Sequence, residues 1–273
     1  MPELPDLTIV AEELERRATG REIAAATAPT PILLRATAAD LESLTGMTLG
    51  PAGRRGKFLI LPLLRAGLEE RLLLANPMLA GRFWLIDAPG QKVRARTGLR
   101  LTFTDGAELR YVDREMLGKL YLVDRDRLDD VPGWADMGPD ADDPELTLEA
   151  FRARIRRHPG ELKSLLRNQR FVAGIGNAYS DEILWAARLA PLRKRRSLAP
   201  EDIDRLYEAM RAVLADATVC LRDLVPPHIE TQHREFLQVH LRGGEPCPRC
   251  GRPLRQIGGD EATTFCRTCQ PPF

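Results

Sequence analysis

The chain begins with two residues that can do nucleophilic chemistry together. Once Met1 is removed, Pro2 presents a secondary amine, and the carboxylate of Glu3 follows on the next residue. An α-amine titrates at about pH 8, so part of Pro2 is uncharged and nucleophilic at neutral pH, with Glu3 within reach as acid or base. The alternative is a stiff, frayed terminus. Asp6 opposes that alternative because, as an N-cap, it predicts a helix that Gly20 ends.

Four of the five cysteines have the spacing of a zinc site. Cys247-x2-Cys250 and Cys266-x2-Cys269 form two knuckles. Four thiolates fill the tetrahedral coordination of Zn²⁺ and leave no position for a catalytic water, so the sequence predicts one structural ion. Two disulfides are the alternative, but a chain without a secretion signal keeps such thiols reduced. Cys220 is left over and is predicted to be a buried, inert thiol.

Charge is balanced overall and concentrated locally. The formal net charge is +1, yet residues 151–200 hold twelve Lys and Arg against three acidic residues. Such a segment suits a phosphate-bearing partner, although a solvated helical face is the alternative. No run reaches the roughly 18 apolar residues of a membrane span, and the front of the chain lacks the regions of a signal peptide. The sequence therefore predicts a cytoplasmic protein without a membrane partner.

A glycine-rich turn offers a second place for an anion. Gly174 and Gly176 predict a tight turn that exposes backbone amides at the start of a helix from Tyr179, and Asn177 adds a side-chain donor. A dinucleotide fingerprint is disfavoured because the third glycine and the βαβ unit are missing. The turn is predicted to hold a DNA phosphate.

The secondary structure that must position these residues is predicted to change from strands to helices along the chain. Short apolar runs at Phe58–Leu64, Arg71–Ala75 and Phe83–Ile86, and alternation on both sides of Asp105-Gly106, predict strands and a hairpin. Helical spacing returns at Leu146–Arg157, Glu161–Asn168, Ser180–Leu189 and Glu201–Thr218. The predicted fold is multidomain α+β: an N-terminal β-sandwich with flanking helices at 1–125, a linker at 126–145, a helical domain at 146–234 and a four-cysteine zinc-finger β-hairpin at 235–273.

Taken together, these motifs resemble one family. They are Pro-Glu-Leu-Pro at the start, Lys57 after Arg54-Arg55-Gly56, Gly-Ile-Gly-Asn-Ala-Tyr, Gln238-Val239-His240, and the two cysteine knuckles. The set is similar to the Fpg/Nei family of formamidopyrimidine-DNA glycosylases and endonuclease VIII-like enzymes, closer to Fpg, over essentially the whole chain. The resemblance implies a helix-two-turn-helix domain at 146–234 and a bifunctional glycosylase and AP lyase of base-excision repair. The enzyme would flip a damaged base from double-stranded DNA and act as a monomer.

The resemblance also assigns roles to individual positions. Lys57 corresponds to a lysine that contacts the phosphate of the damaged nucleotide, and Asn177 to an asparagine on a phosphate. Met78, Glu115 and Leu117 occupy the positions that fill the void left by the flipped base.

Several positions depart from the family pattern. Asp6 stands where many members have Glu, and Glu115 replaces an Arg that reads the orphaned base. Glu261 takes the place of a phosphate-gripping Arg of the zinc finger, for which Arg255 or Arg267 is expected to compensate. We therefore expect weaker discrimination of the opposite base, with Pro2 chemistry intact. The alternatives are a lesion-binding protein without turnover, and a zinc-ribbon protein that binds protein or RNA.

Overall fold

Within residues 1–87, 90–259 and 262–271, which this computed structural model describes, the chain forms six α-helices and twelve strands. The helices are α1 (Leu4–Ala18), α2 (Ala38–Glu42), α3 (Leu148–Arg157), α4 (Leu162–Arg167), α5 (Asn177–Ala186) and α6 (Pro200–Leu224). The strands are β1 (Ile23–Thr27), β2 (Leu34–Arg35), β3 (Thr48–Leu49), β4 (Gly53–Arg55), β5 (Phe58–Arg65), β6 (Leu68–Asn76), β7 (Gly81–Ile86), β8 (Thr97–Phe103), β9 (Glu108–Asp113), β10 (Lys119–Val123), β11 (Arg255–Ile257) and β12 (Thr263–Phe265). None of the helices in these ranges has both the length and the apolar character needed to cross a membrane.

Contacts group the chain into two compact units. The β-sandwich unit comprises residues 1–2, 6–135 and 221–233, and the helical unit comprises residues 3–5, 136–220 and 234–273. The boundaries between these units differ from the predicted domain boundaries at residues 125, 145 and 234. Part of the expected linker belongs to the β-sandwich unit, because Val131 and Trp134 are buried there and Trp134 packs edge-on against Phe58. The Asp- and Pro-rich composition of the segment concealed these two apolar side chains.

The β-sandwich unit contains a four-stranded sheet in the order β1-β8-β9-β7 and a six-stranded sheet in the order β2-β10-β6-β5-β3, with β4 paired to β5. All pairings are antiparallel except β2 with β10. The predicted hairpin is confirmed: β8 and β9 pair with Leu101 opposite Leu109, and Gly106 takes a positive φ of 86° in the turn. The alternating side chains bury Leu99, Leu101 and Phe103 on one face.

Helix α1 begins two residues before the predicted N-cap. Leu4 is its first residue, so Asp6 lies inside the first turn instead of capping it. Pro5 is compatible with the first turn because its missing N–H would have no helical partner there. Leu7, Ala11 and Leu14 are buried at helical spacing, so the front of the chain is packed and not frayed.

In the helical unit, α3 to α6 enclose a core that includes Phe151, Leu166, Tyr179 and Met210. Several helix boundaries differ from the predicted ones. Helix α5 spans Asn177–Ala186 instead of Ser180–Leu189, α3 starts at Leu148 instead of Leu146, and α6 continues past Thr218 to Leu224. Cys220, predicted to be buried, is half-buried on α6. The zinc-finger hairpin pairs β11 with β12, with Gln256 opposite Thr264.

The short helix α2 generates a prediction about acid stability. Thr37 and Asp40 form a capping box, and hydrogen bonds from the Thr37 backbone and side chain, followed by that from Arg71, lower the pKa of Asp40 from 3.8 to about 2. Because the folded pKa lies below the unfolded one, this stabilisation is present above pH 3.8 and is lost as the pH falls through about 2. We expect Asp40→Asn to lower the free energy of unfolding by about 1 kcal/mol at pH 7 and to flatten its acid dependence in that window. Urea unfolding between pH 2 and pH 7 measures this, with the exposed Glu42→Gln on the same helix as the control.

Candidate active site, metal centre and nucleic-acid interface

Pro2 is buried in the β-sandwich unit and lines a small cavity there. Its neighbours around that cavity include Asp6, Leu7, Val10, Pro77, Arg82, Phe83, Ile229 and Gln232. The preceding carbonyl is fixed, because Gln232 Nε2 donates to Met1 O at 3.1 Å and Arg82 donates to Gln232 Oε1 at 2.6 Å. While Met1 is attached, the Pro2 nitrogen is an amide and cannot act as a nucleophile. A nucleophilic role of Pro2 would therefore require the removal of Met1, which stays a prediction.

Glu3 caps the first turn of α5 in the helical unit. Its Oε2 accepts from the amides of Gly176 at 2.5 Å and Tyr179 at 3.3 Å, and its Oε1 accepts from Ala178 at 2.9 Å. The residue is 2% exposed, and the helix N-terminus favours negative charge at this place. The amide of Leu4 donates to Gly174 O at 3.0 Å, so the backbone that follows Glu3 is held to the same turn. Backbone groups thereby fix the position of Glu3.

The anion at the glycine-rich turn is therefore Glu3. The turn was expected to offer its amides to a DNA phosphate, but three of them bind this carboxylate. Gly174 has a positive φ of 98°, and a Cβ there would lie 2.7 Å from Leu4, which explains the glycine. Asn177 is half-buried and its Nδ2 donates to Ala262 O at 3.1 Å. Its role as a phosphate ligand stays a prediction.

A buried charged cluster lies next to this turn, and the sequence did not reveal it. Lys163, on the apolar face of α4, is 5% exposed and donates to Asp181 Oδ1 at 2.7 Å and to Ala262 O at 3.0 Å. The second Asp181 oxygen lies 2.8 Å from His240 Nδ1. His240, part of the Gln238-Val239-His240 motif, thereby belongs to this cluster. Burial lowers the pKa of Lys163, and the charge of Asp181 opposes that shift. The signal that could have revealed this cluster is a lysine among the leucines of an apolar helix face.

Glu182 fastens the following segment to α5. Its carboxylate accepts from the amides of Gln238, Val239 and His240 at 2.8–2.9 Å. Burial raises the pKa of Glu182, while these three hydrogen bonds act in the opposite direction. Asp181 and Glu182 together connect α5 to the segment that leads into the zinc knuckles.

The four cysteines of the knuckles converge. Their sulfurs all lie within 4.8 Å of one another, with Cys250–Cys266 at 3.5 Å and Cys247–Cys269 at 3.9 Å. A tetrahedral ion with Zn–S bonds of about 2.3 Å places sulfurs at comparable separations, whereas a disulfide requires about 2.05 Å. All five cysteines belong to the described ranges and are unbonded there. The residues fit one structural Zn²⁺, and the disulfide alternative does not apply.

The zinc hairpin is tied to α5 by a stacked arginine. The guanidinium of Arg249 lies 4.2 Å from the centre of the Trp185 ring, and its Nη1 donates to Trp185 O at 2.9 Å. Arg255 and Arg267 are exposed, as the predicted phosphate role requires. Glu261, which replaces the family arginine, lies outside the described residues.

Many cations of the segment 151–200 form ion pairs or hydrogen bonds within the helical unit. Lys163 pairs with Asp181, Arg152 with Asp204, Arg193 with Asp202 and Lys194 with Glu161. Arg154 and Arg170 also bind within the unit, to backbone carbonyls and to Asp136, so at least six of the twelve cations have partners inside the fold. The count of cations overstated the charge available to a partner.

In the β-sandwich unit, Lys57 is half-buried in the turn between β4 and β5. Arg54, on the preceding strand, donates to Thr8 Oγ1 of α1 at 2.7 Å. This hydrogen bond ties the turn to the helix that begins next to Pro2.

Two neighbouring turns of the same unit carry the three predicted void-filling residues. Met78 is 38% exposed in the β6–β7 turn, and Leu117 is 44% exposed in the β9–β10 turn that also carries Glu115. Leu79 was not singled out from the sequence, yet it is 50% exposed and lines a cavity of about 1290 Å³ together with Glu115. Five other residues that line this cavity are cationic: Arg82, Lys92, Arg94, Arg96 and Arg114. Arg94 stacks on Trp84, 3.8 Å from the ring centre.

Comparison with protein-family models matches three successive regions. The formamidopyrimidine-DNA glycosylase N-terminal domain matches residues 1–120, the formamidopyrimidine-DNA glycosylase H2TH domain matches 137–222, and the zinc finger found in FPG and IleRS matches 244–272.

Whole proteins are similar over the same length. A formamidopyrimidine-DNA glycosylase from Bacillus cereus is 33% identical over 281 residues, and one from Pelotomaculum thermopropionicum is 32% identical over 280, each with 99% of both chains covered. Among solved structures, Lactococcus lactis Fpg bound to abasic-site DNA has a TM-score of 0.86 at 28% identity, covering 98% of this chain and 99% of that one. The same protein bound to N7-benzyl-Fapy-dG DNA has a TM-score of 0.87 at 28% identity, covering 99% and 100%.

The buried cluster generates a prediction about stability. Asp181→Asn leaves Lys163 buried without its charged partner, so we expect the free energy of unfolding to fall by about 3 kcal/mol. Asp204→Asn breaks the more exposed pair with Arg152 and should cost much less, because solvent screens that pair. Urea unfolding followed by circular dichroism compares the two; equal costs would contradict the assigned burial.

The zinc site generates a second prediction. Cys247→Ser should reduce bound zinc from one ion per chain to near zero and unfold the hairpin, because so short a segment depends on its metal. Atomic absorption measures the zinc, and limited proteolysis reports the hairpin. Cys220→Ser is the matched control and should retain the full ion.

Proposed function

The chain belongs to the formamidopyrimidine-DNA glycosylase family, and from this membership we propose that Pro2 is the nucleophile of a bifunctional DNA glycosylase and AP lyase of base-excision repair. The observation that carries the proposal is the front of the chain. Pro2 lines a cavity, and the carboxylate that follows it is fixed by three backbone amides.

Removal of Met1 gives Pro2 a secondary amine. Its lone pair attacks C1′ of the damaged nucleotide, the C1′–N bond to the base breaks, and the base leaves with a proton. Loss of the amine proton gives a neutral aminal; the C1′–O4′ bond then breaks as the ring oxygen takes up a proton, which leaves an iminium between Pro2 and the opened sugar. The iminium acidifies the C2′ proton, so elimination expels the 3′-phosphate; a second elimination expels the 5′-phosphate. Hydrolysis then frees Pro2.

Glu3 is proposed to transfer protons at the sugar. Its carboxylate accepts from three backbone amides, and the position of these amides does not depend on the rotamer of another side chain. A group held in this way meets the positional demand of acid–base catalysis.

Damaged DNA is the proposed substrate, in duplex form and bound by a single copy of the chain in the cytoplasm or nucleoid. A duplex is favoured because two exposed turns with Met78, Leu79, Glu115 and Leu117 suit the space left by a flipped base. Lys57, Asn177, Arg255 and Arg267 are proposed to contact phosphates. With Glu115 in place of an arginine, the orphaned base is read by a carboxylate, which suits the amino group of cytosine.

Borohydride trapping tests the mechanism. With duplex DNA containing an abasic site, the mature protein should form a covalent adduct, and peptide mass spectrometry should locate the link at Pro2. The matched control is the same chain with an uncleaved N-terminal extension, whose Pro2 nitrogen is an amide; its adduct should fall to background. Intact mass confirms the removal of Met1 in the active sample.

Two results would overturn the proposal. One is an adduct that maps to a lysine, and the other is an adduct that the N-terminal extension leaves undiminished. Strong binding of the mature protein to lesion DNA without any cleavage would instead favour a lesion-binding protein without turnover.

A further inference from the structure

The hydroxyl of Tyr111 occupies an unusual place beneath the two exposed turns of the β-sandwich unit. Tyr111 lies on β9, is 0% exposed and packs edge-on against Phe83 with ring centres 5.2 Å apart. Within the described part of the chain, its hydroxyl has no hydrogen-bond partner. A buried hydroxyl without a partner costs free energy that a phenylalanine would not, so its presence calls for an explanation.

The hydroxyl has a steric role. The hydroxyl lies against two glycines: a Cβ at Gly118 would be 1.9 Å from Tyr111 Oη, and a Cβ at Gly81 would be 2.0 Å from it. Neither glycine has a positive φ, so neither is required by backbone conformation. At Gly118 the hydroxyl is the main obstacle to a side chain, whereas at Gly81 the Tyr111 ring and Pro77 O exclude one as well.

Each glycine closes one of the two turns. Gly81 ends the turn that carries Met78 and Leu79, and its amide donates to Pro77 O at 2.9 Å. The turn is further shaped by Asn76, whose Oδ1 accepts from the amide of Met78 at 3.2 Å.

Gly118 ends the turn that carries Glu115 and Leu117. Asp113 organises it, because Oδ1 accepts from Glu115 N at 3.0 Å and Oδ2 from Gly118 N at 2.6 Å. Gly81 and Asp113 are opposite each other in the β7–β9 pairing, so both turns leave the sheet at the same place.

We propose that Tyr111 is a positioning residue: its hydroxyl sets the separation of the β6–β7 and β9–β10 turns, so that their exposed side chains enter the DNA in a fixed arrangement and discriminate the opposite base. The inference rests on the proposed function. It adds a buried determinant of specificity that touches neither DNA nor the reacting atoms.

The first test removes the Tyr111 hydroxyl, which is the proposed spacer between the two turns. Tyr111→Phe keeps the ring and should fold. Excision of a lesion base opposite each of the four bases should lose selectivity by about tenfold, since displacement by about 1 Å of a positioned group costs up to roughly 100-fold in rate. Borohydride trapping on a preformed abasic site should be unchanged, because it requires no base to be read. Tyr121→Phe, in β10 of the same unit, is the control and should leave both readouts unchanged.

The second test exploits a difference between the glycines. Gly118→Ala should lower selective excision. Adding Tyr111→Phe should restore part of it, because the new methyl group then meets Tyr111 Cζ at 3.0 Å and only Asp113 Oδ2, the end of a side chain, at the shorter distance of 2.9 Å. Gly81→Ala should not be rescued, because Tyr111 Cζ at 2.6 Å and Pro77 O at 2.7 Å still clash. Gly53→Ala, whose Cβ would meet nothing within 4 Å, is the control.

The outcomes separate this inference from the proposed function. Unchanged selectivity in Tyr111→Phe, or equal rescue of both glycine variants, would overturn the spacer while trapping on abasic DNA stays intact. Absence of trapping in the unsubstituted mature protein would overturn the proposed function instead. Melting temperatures identify any glycine variant that fails to fold, and the Tyr111→Phe result then decides alone.

Discussion

The carboxylate of Glu3 at the start of α5 is the interaction on which much of the chain depends. It occupies three amides that would otherwise lie unpaired at a helix N-terminus, so one charge stabilises the turn, begins the helix and fixes the residue after Pro2. From the same helix, Asp181 and Glu182 hold the segment that leads into the zinc knuckles. Glu3 and the segment that leads into the zinc knuckles are therefore both held by a single ten-residue element.

What the sequence could predict follows from local physics. The zinc ligands were identified by spacing, the β8–β9 hairpin by alternation around Asp105-Gly106, and the family by motifs spread over the whole chain. The catalytic roles of Pro2 and Glu3, inferred from two adjacent residue types, stay a prediction. In each case the information lies within a short window, where residue type and spacing determine the outcome.

What the sequence did not predict depends on contacts between distant residues. The turn at Gly174–Asn177 was correctly expected to hold an anion, but its partner is Glu3, which is 173 positions from Gly176 along the chain. Lys163, Asp181 and His240 form a cluster only after α4, α5 and the following segment have packed. The start of α5 was misplaced for the same reason, because its cap is tertiary and absent from the local sequence.

The glycines beneath the two exposed turns limit how this scaffold can be redesigned. If either turn is replaced by a longer segment, or by one that contacts DNA with other side chains, the replacement must still end in glycine as long as tyrosine occupies position 111. If one turn were taken from a relative while Tyr111 and the other turn stayed unchanged, the new turn would be combined with a turn separation for which it did not evolve. The two turns and Tyr111 are thus one module for protein engineering and have to be exchanged together.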